Sequence, residues 1–519
     1  MDYTRTPYYT AGQAKDLSGK DFWLYRFFEI LPGFLAWATL LGALVLSYLA
    51  PFYAAFFIIA FNLYWVLKSG YLSLHLWQNW KHLKTSLSMD WLEMLSPFKY
   101  TRIVHLVILP FYKESFEIVE TNIKSLLSAR GNKKKMAVVL AVEARAGNSA
   151  LEITEKIRAP YGREFGFFIV TVHPSGILGE MDGKGSNIAY AAEEARKRIL
   201  DANGIQYEDV LVSAFDIDTI VYPDYFLCLM WHFLTTEDRL HASYQPVPFY
   251  NNNMWQAPAL SRVVATSGSL WQMIQQERPE RLTTFSSHSM PFMALREVGY
   301  WQKNIVSEDS RIFWNAFLAY DGNYKVVPIS YPLSMDANLA PKFWETLKNV
   351  YKQQRRWSWG VENLPYILTG FIKNPRIPLP KKIKITLLEL ERAWSLATNP
   401  ILLFLFTWTP ILLGGRLFNS TLLSYNLPVV SRDLTLLGIL GILLSAIISI
   451  SFLPPAPNSS STRAKSIMFL QWVFVPITLL VFGSIPALES QTRLMLSGRF
   501  RLGYWVTPKH RKTGQILSL

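Results

Sequence analysis

The sequence is poor in cysteine and in charge, and each shortage excludes a class of protein. Cys228 is the single cysteine in 519 residues, so an internal disulfide framework and a multi-cysteine zinc site are excluded. Charged residues make up 17% of the chain, against roughly 25% in typical soluble domains, while hydrophobic residues reach 50%. This low charge, combined with an aromatic content of 14%, excludes a disordered chain and a coiled coil.

The charges that are present are mostly basic, and their positions indicate a membrane. The formal net charge of +14 is compatible with three kinds of negatively charged partner: nucleic acid, anionic lipid headgroups and phosphorylated substrates. Lys and Arg are concentrated beside the hydrophobic segments, which is typical of charges that flank a membrane. We therefore expect a lipid bilayer as a partner, and no nucleic acid.

Long uncharged runs lie at both ends of the chain. Residues 33–50 and 51–67 are each about long enough for a helix to cross a hydrocarbon core of roughly 30 Å, so they predict a hairpin of two spans. Three further apolar stretches follow at about 396–414, 434–453 and 467–487. We predict six parts in all: a cytoplasmic segment 1–30, a transmembrane hairpin 31–70, a cytoplasmic domain 95–335, amphipathic interface helices 341–394, a C-terminal transmembrane region 395–490 and a basic tail 491–519.

The side of the membrane follows from the basic residues around the middle domain. By the positive-inside rule they place that domain in the cytoplasm, so we predict a multi-pass membrane protein with a cytoplasmic catalytic domain. Three later spans would leave the C-terminus outside, yet the tail carries the basic residues Arg493, Arg499, Arg501, Lys509, Arg511 and Lys512. Either one apolar stretch does not cross the membrane, or a further span is hidden in an amphipathic segment.

The middle section alternates strand-like and helix-like segments. Apolar runs typical of strands buried on both faces occupy residues 103–109, 136–142, 167–172 and 210–215, with a helix at about 185–200. This order predicts an α/β fold with a doubly wound, mostly parallel sheet, flanked by transmembrane and interface helices. Ligands of such sheets bind beyond the carboxyl ends of the strands, so we expect the chemistry to come from the polar residues there.

Asp216 and Asp218 directly follow the last of these strands. Two carboxylates at positions i and i+2 can jointly hold a divalent cation, with phosphate oxygens as its other ligands. The alternative is a solvated turn. The position at the end of an apolar strand makes the two interpretations about equal.

Ser307-Glu308-Asp309 precedes a second helix-like run. Acidic residues at a helix start are often only caps, stabilised by the helix dipole. A functional Asp309 would instead be a general base that takes the proton of an acceptor hydroxyl.

Gln353, Arg356 and Trp357 lie in a predicted amphipathic helix. At positions i, i+3 and i+4 they share one face, so they can converge on one ligand. Arg would bind phosphate, and Trp would offer an apolar platform for a sugar ring. The alternative is that Trp and Arg anchor the helix at a membrane surface.

The order Asp-x-Asp, Glu-Asp and Gln-x-x-Arg-Trp between two groups of spans resembles the membrane-embedded family 2 glycosyltransferases, such as cellulose, chitin and hyaluronan synthases. The resemblance covers roughly residues 25 to 510 and includes Leu109 to Glu114, Lys184 to Asn187 and Tyr504 to Lys509. It implies a GT-A-like fold and an enzyme that transfers a sugar from a nucleotide-sugar donor, with a UDP-sugar favoured.

The resemblance also implies roles for individual residues. The donor nucleotide would be bound by Tyr112, Glu114, Glu143, Lys184, Asn187 and Asp216. The metal, Mg²⁺ or Mn²⁺, would be held by Asp216 and Asp218, and Asp309, with Glu308 beside it, would be the catalytic base. The diphosphate and the acceptor would be held by Gln353, Arg356 and Trp357.

Three functions stay open at this point. The Gln-x-x-Arg-Trp motif favours a processive enzyme that extends a polysaccharide, while a related enzyme would add one sugar to a lipid acceptor. A membrane scaffold with an inactive transferase domain is the alternative from another class. The presence of all of Asp216, Asp218, Asp309 and Arg356 argues against that scaffold, because random loss would seldom spare all four.

Overall fold

The computed structural model describes residues 6–454, 461–508, 510 and 511 of the chain. Two basic residues of the predicted tail, Lys509 and Lys512, lie outside the described residues. A single sheet of eight strands lies between the helices of the two chain ends, in the order β3-β2-β1-β4-β7-β6-β8-β5. The strands are β1 (Val104–Phe111), β2 (Met136–Glu143), β3 (Phe167–His173), β4 (Val210–Ala214), β5 (Ile220–Val221), β6 (Ala242–Phe249), β7 (His288–Pro291) and β8 (Lys325–Ser334).

One half of the sheet is parallel, as the apolar runs predict. Strands β3, β2, β1 and β4 all run in the same direction. The other half is mixed: β7 is antiparallel to both β4 and β6, while β6 and β8 are parallel. The predicted class is therefore confirmed as a mixed, mostly parallel sheet with flanking helices.

The helices before and within the sheet connect its strands. They are α1 (Gly19–Leu49), α2 (Pro51–Ser88), α3 (Trp91–Leu95), α4 (Phe116–Ser128), α5 (Asn148–Tyr161), α6 (Lys184–Ala195), α7 (Tyr225–Thr235), α8 (Ala259–Gln276), α9 (Phe292–Glu297) and α10 (Glu308–Ala319). Those after the sheet are α11 (Phe343–Ser358), α12 (Asn363–Lys373), α13 (Leu379–Phe404), α14 (Thr409–Leu413), α15 (Gly415–Asn419), α16 (Leu422–Ile450), α17 (Ser461–Leu470), α18 (Val475–Leu479) and α19 (Ile485–Leu496).

Strand β1 shows why both faces of the sheet are covered. Leu106 and Ile108 point into the core on the side of α6, whereas Val107 and Leu109 point into the core on the side of α4 and α7. Because successive strand residues face opposite ways, an uninterrupted apolar run requires helices on both sides. Each such side chain contributes about 1.5–3 kcal/mol by burial. The sheet is therefore held rigidly, and its polar ends are free to form a site.

Four helices of the described chain are long and apolar enough to cross a membrane. They span Gly19–Leu49, Pro51–Ser88, Leu422–Ile450 and Ala464–Leu496. The predicted stretch at 396–414 behaves differently, because the apolar helices Leu379–Phe404 and Phe406–Leu413 meet at a bend of 52°. That pair is either one broken span or a re-entrant segment.

Candidate active site

The strand ends open into one cleft, and the predicted site residues lie along it. The cleft is open to solvent and has an empty volume of about 1110 Å³. Its walls include all but one of the residues singled out in the sequence, namely Tyr112, Glu114, Glu143, Lys184, Asp216, Asp218, Glu308, Asp309, Gln353, Arg356 and Trp357.

The exception is Asn187, which is not among the residues that line the cleft. It is fully buried on α6, and its side-chain amide donates to the backbone oxygen of Ala141 in β2 at 2.6 Å. Asn187 therefore fastens α6 to the sheet, one helical turn after Lys184. The role in nucleotide binding that the resemblance implies for it stays a prediction.

Lys184 joins the two acidic motifs. Its ammonium donates to Asp216 Oδ1 at 2.7 Å and lies 2.9 Å from Asp309 Oδ1. Burial alone would lower the pKa of Lys184, but the negative charges of Asp216, Asp309 and Glu308 outweigh it and raise that pKa above its usual value. Lys184 is therefore a fixed cation that brings together two carboxylates 93 positions apart in the sequence.

The Asp-x-Asp pair is fixed by partners that the sequence pattern did not indicate. Ser286 donates its hydroxyl to Asp216 Oδ2. The backbone N–H of Asp336 donates to Asp218 Oδ2 at 2.9 Å. Asp218 is fully buried, whereas the side chain of Asp216 is 29% exposed at the cleft. The two carboxylates therefore have defined orientations at the end of β4.

These oxygen donors fit a hard divalent cation only in part. Carboxylate oxygens are the ligands that Mg²⁺ prefers, usually together with substrate phosphates and water. Within the described residues no three His, Cys, Asp or Glu side chains are grouped to hold a metal ion. A cation held by Asp216 and Asp218 would therefore take its remaining ligands from a bound diphosphate and water.

Glu308 and Asp309 are the first two residues of α10, but their surroundings differ. Asp309 faces the cleft, contacts Lys184 and lies 3.9 Å from His288 Nδ1. Glu308 is 1% exposed, and its Oε2 atom has no hydrogen-bond partner among the described residues. Burial, together with the charge of Asp309, raises the pKa of Glu308 to about 8. Burial also lowers the pKa of His288 to about 4, which keeps its ring neutral.

Helix α11 carries the Gln-x-x-Arg-Trp motif along the other side of the cleft. The ring of Trp357 packs between Tyr250, at 5.6 Å between centroids, and Phe285, at 5.5 Å. The Arg356 guanidinium lies 5.5 Å above the ring of Tyr504. Three aromatic side chains thus form an apolar wall beside a cation, which suits a sugar ring next to a phosphate.

Beside the end of the cleft at β1 and β2 lies Arg145, a residue that the motifs missed. Arg145 donates to Glu143 Oε2 at 2.6 Å, and its guanidinium lies 4.6 Å above the ring of Tyr112. Glu114 accepts the backbone N–H of Tyr112 at 2.9 Å, which shapes the turn after β1. An aromatic ring, a carboxylate and a guanidinium together can contact a nucleotide base by stacking and by hydrogen bonds.

The C-terminal segment folds back over the site. Tyr504, Val506 and Thr507 line the cleft, and they belong to the segment Tyr504 to Lys509 that shares in the family resemblance. Gly183, just before α6, has a φ of +153°, and a Cβ atom there would lie 2.6 Å from the Tyr504 ring. Arg511 binds Asp336 through two nitrogens, with a shortest distance of 2.7 Å. The segment is therefore docked at both of its ends.

The sequence comparison identifies the class of protein that this site serves. Residues 211–485, more than half of the chain, match the model of glycosyl transferase family group 2. The chain belongs to this family and is a glycosyltransferase, so the predicted class and the prediction of an enzyme are both confirmed. No curated protein matches the chain in sequence.

Solved structures are similar to the chain at low identity. A mannosyltransferase from Pyrobaculum calidifontis, in complex with GDP-Man and Mn²⁺, has 13% identity and a TM-score of 0.40 over 82% of this chain and 99% of its own. A fragment of TarS from S. aureus, in complex with UDP-GlcNAc, has 13% identity and a TM-score of 0.36 over 72% of this chain and 91% of its own. The family assignment rests on the sequence match and not on these two structures.

Proposed function

We propose that the chain is a membrane-bound inverting glycosyltransferase that extends a polysaccharide at the cytoplasmic face of a membrane. The single observation that carries this proposal is the arrangement around Lys184, where the Asp-x-Asp and Glu-Asp motifs meet in one cleft. Arg356 and Trp357 from a third motif line the same cleft. Family membership supplies the reaction class, and the cleft supplies a donor and an acceptor side.

The donor side would lie between β4 and α11. Asp216, Asp218 and Arg356 would surround the diphosphate, while Tyr112 and Glu143 would contact the base. A divalent cation held by the two aspartates would supply positive charge to the leaving diphosphate. Arg356 would stabilise the same charge, because hydrogen bonds between a guanidinium and ionised oxygens are stronger than those between neutral groups.

The acceptor side would lie against Trp357 and Asp309. The acceptor hydroxyl would attack the anomeric carbon of the donor as the bond to the diphosphate oxygen breaks, with inversion. Asp309 would take the proton of that hydroxyl. Lys184 supports this role, because its ammonium lies 2.9 Å from Asp309 Oδ1 and holds that carboxylate at the cleft.

The contacts of the two chain ends support a common side for both of them. Tyr9, before α1, donates its hydroxyl to the backbone oxygen of Val298 at 3.1 Å. Arg511, after α19, pairs with Asp336 at 2.7 Å. If both ends lie on the same side as the sheet that they contact, the number of crossings before the sheet and after it would each be even. We infer two crossings before it and two after it, with the bent pair 379–413 as a re-entrant segment.

Product analysis tests the proposal. The purified chain in lipid nanodiscs is incubated with Mn²⁺ and UDP-glucose, UDP-N-acetylglucosamine, UDP-galactose or GDP-mannose, and both nucleoside diphosphate and product length are measured. We expect one donor to give nucleoside diphosphate and a ladder of products. If the product is a lipid that carries one added sugar, the enzyme is a single-transfer enzyme with a lipid acceptor and does not extend a polysaccharide. No turnover with any donor would favour a membrane scaffold with an inactive transferase domain.

A further inference from the structure

A buried carboxylate outside the recognised motifs connects the two sides of the cleft. Glu362 lies in the short turn Trp359–Glu362, directly after the helix that carries Arg356 and Trp357. It is 2% exposed and lies next to the loop that precedes Glu308. A buried charge is unfavourable unless hydrogen bonds compensate it, so the partners of Glu362 show what it holds in place.

Three of those partners belong to the loop before α10. Glu362 Oε1 accepts the backbone N–H groups of Val306 at 3.1 Å and Ser307 at 2.9 Å. It also accepts the Ser307 hydroxyl at 2.8 Å. Ser307 is the residue immediately before Glu308, and Asp309 follows. One carboxylate oxygen thus fixes the backbone from which both acidic residues extend.

The other carboxylate oxygen faces the Gln-x-x-Arg-Trp side. Glu362 Oε2 accepts the indole N–H of Trp359 at 2.8 Å and lies 3.5 Å from the guanidinium of Arg501. Trp359 is fully buried, so the contact between Glu362 Oε2 and its indole is held by the surrounding core. Glu362 therefore spans the distance between the helix of Arg356 and the start of the helix of Asp309.

We propose that Glu362 is a positioning residue for the transfer step, which sets the place of Asp309 relative to Arg356. Glu362 does not line the cleft and would act only through the Val306–Ser307 backbone. A shift of about 1 Å in a reacting group can slow a reaction about a hundredfold, so small movements of this backbone matter. The inference rests on the proposed function, since it assumes that Asp309 is the base.

The substitution Glu362→Gln tests this role with little change in volume. The amide keeps one acceptor oxygen for Val306 and Ser307, but it turns an N–H toward the indole N–H of Trp359, where two donors oppose each other. We expect kcat to fall about tenfold while KM for the donor changes less than about twofold, because the groups proposed to bind the donor are untouched. Addition of Trp359→Phe removes the opposing donor, and we expect it to restore part of the lost kcat.

Glu29→Gln is the matched control. Glu29 is also fully buried and also pairs with Arg501, at 2.7 Å, but it does not contact the loop before α10. We expect its kcat to stay within about twofold of the wild-type value. Wild-type chain with the most active of the four donors is measured alongside, so absence of wild-type turnover would refute the proposed function and not this inference.

Three results would overturn the inference. One is a Glu362→Gln variant with wild-type kcat. Another is an equal loss of kcat in Glu29→Gln, which would assign the effect to Arg501. The third is a rise in KM in step with the fall in kcat and no recovery with Trp359→Phe, which a merely structural role would produce.

Discussion

Two pairs of carboxylates face the same cleft, and their surroundings differ. Asp216 and Asp218 follow a strand and accept hydrogen bonds from Lys184, Ser286 and the backbone of Asp336. Glu308 and Asp309 begin a helix, and one of them is buried with an oxygen that has no hydrogen-bond partner in the described chain. Both carboxylates of the first pair accept hydrogen bonds, whereas the second pair combines a carboxylate in contact with Lys184 and a buried one whose pKa is raised to about 8.

The difference teaches that residue type alone does not assign a role. Carboxylates whose orientations are fixed by hydrogen bonds suit a cation and a diphosphate. A carboxylate at the cleft surface next to a buried, largely protonated neighbour suits proton transfer, because the neighbour adds no second negative charge. The four predictions that follow test this division of roles.

The largest expected effect is that of Asp309→Asn. An amide cannot take the acceptor proton, so we expect turnover to fall about a thousandfold. Calorimetric titration with UDP or GDP should give wild-type affinity, since the variant keeps Asp216 and Asp218. A variant with more than about a tenth of the wild-type turnover would contradict a base at this position.

The next effect concerns the cation between the two pairs. Lys184→Met leaves Asp216 and Asp309 close together without the cation that contacts both of them. We expect a loss of about a hundredfold in turnover, because the reacting carboxylate loses the contact that fixes its position. Lys113→Met is the control, because Lys113 is exposed and its ammonium lies 5.1 Å from the centroid of the Tyr112 ring, away from the two aspartates. Equal turnover in the two variants would contradict the bridging role.

A smaller effect is expected on metal dependence, which distinguishes the pair Asp216 and Asp218 from the pair Glu308 and Asp309. Asp218→Asn weakens a cation ligand, so we expect about tenfold more Mn²⁺ to be needed for half-maximal activity. Asp90→Asn is the control, because Asp90 is exposed and does not line the cleft. We expect this variant to leave the Mn²⁺ requirement unchanged. If Glu308→Gln instead changes the Mn²⁺ requirement and Asp218→Asn does not, the assignment of the two pairs is reversed.

The smallest effect is on stability. The pKa of Glu308 is raised in the folded chain to about 8 from an ordinary value of 4.5, so the folded state holds a proton that the unfolded state has lost. The protonated Glu308 carboxyl contributes fully to the stability of the folded chain below pH 4.5. This contribution is lost as the pH rises through about 8. Glu308→Gln removes this dependence, so the melting temperature of the variant relative to wild type should rise between pH 5 and pH 8. A constant difference would contradict the raised pKa.

Strands β1 to β4 could be predicted because each is a run of buried apolar residues. The mixed half of the sheet could not: β7 consists of His288, Ser289, Met290 and Pro291, whose polar side chains are buried only by tertiary contacts. Prolines interrupt β6 and β8, and such residues normally argue against an internal strand. The sequence pattern therefore predicts only the half of the sheet whose strands are continuous apolar runs.

The residues of the site also fall into two groups, those that sequence motifs identify and those that only the fold reveals. Motif order identified the carboxylates, Lys184 and Arg356, because their chemistry is visible in residue type and spacing. Glu362 and Ser286 carry no such signal, since their partners lie 55 and 70 positions away in the chain. Only the tertiary fold, which brings those segments together, reveals that they support the site.

The glycine before α6 has a consequence for the wall of the cleft. The Tyr504 ring occupies the space that a side chain at position 183 would fill. Any larger residue there would collide with this ring and displace the C-terminal residues that line the cleft. This side of the substrate site thus depends on a position that has no side chain.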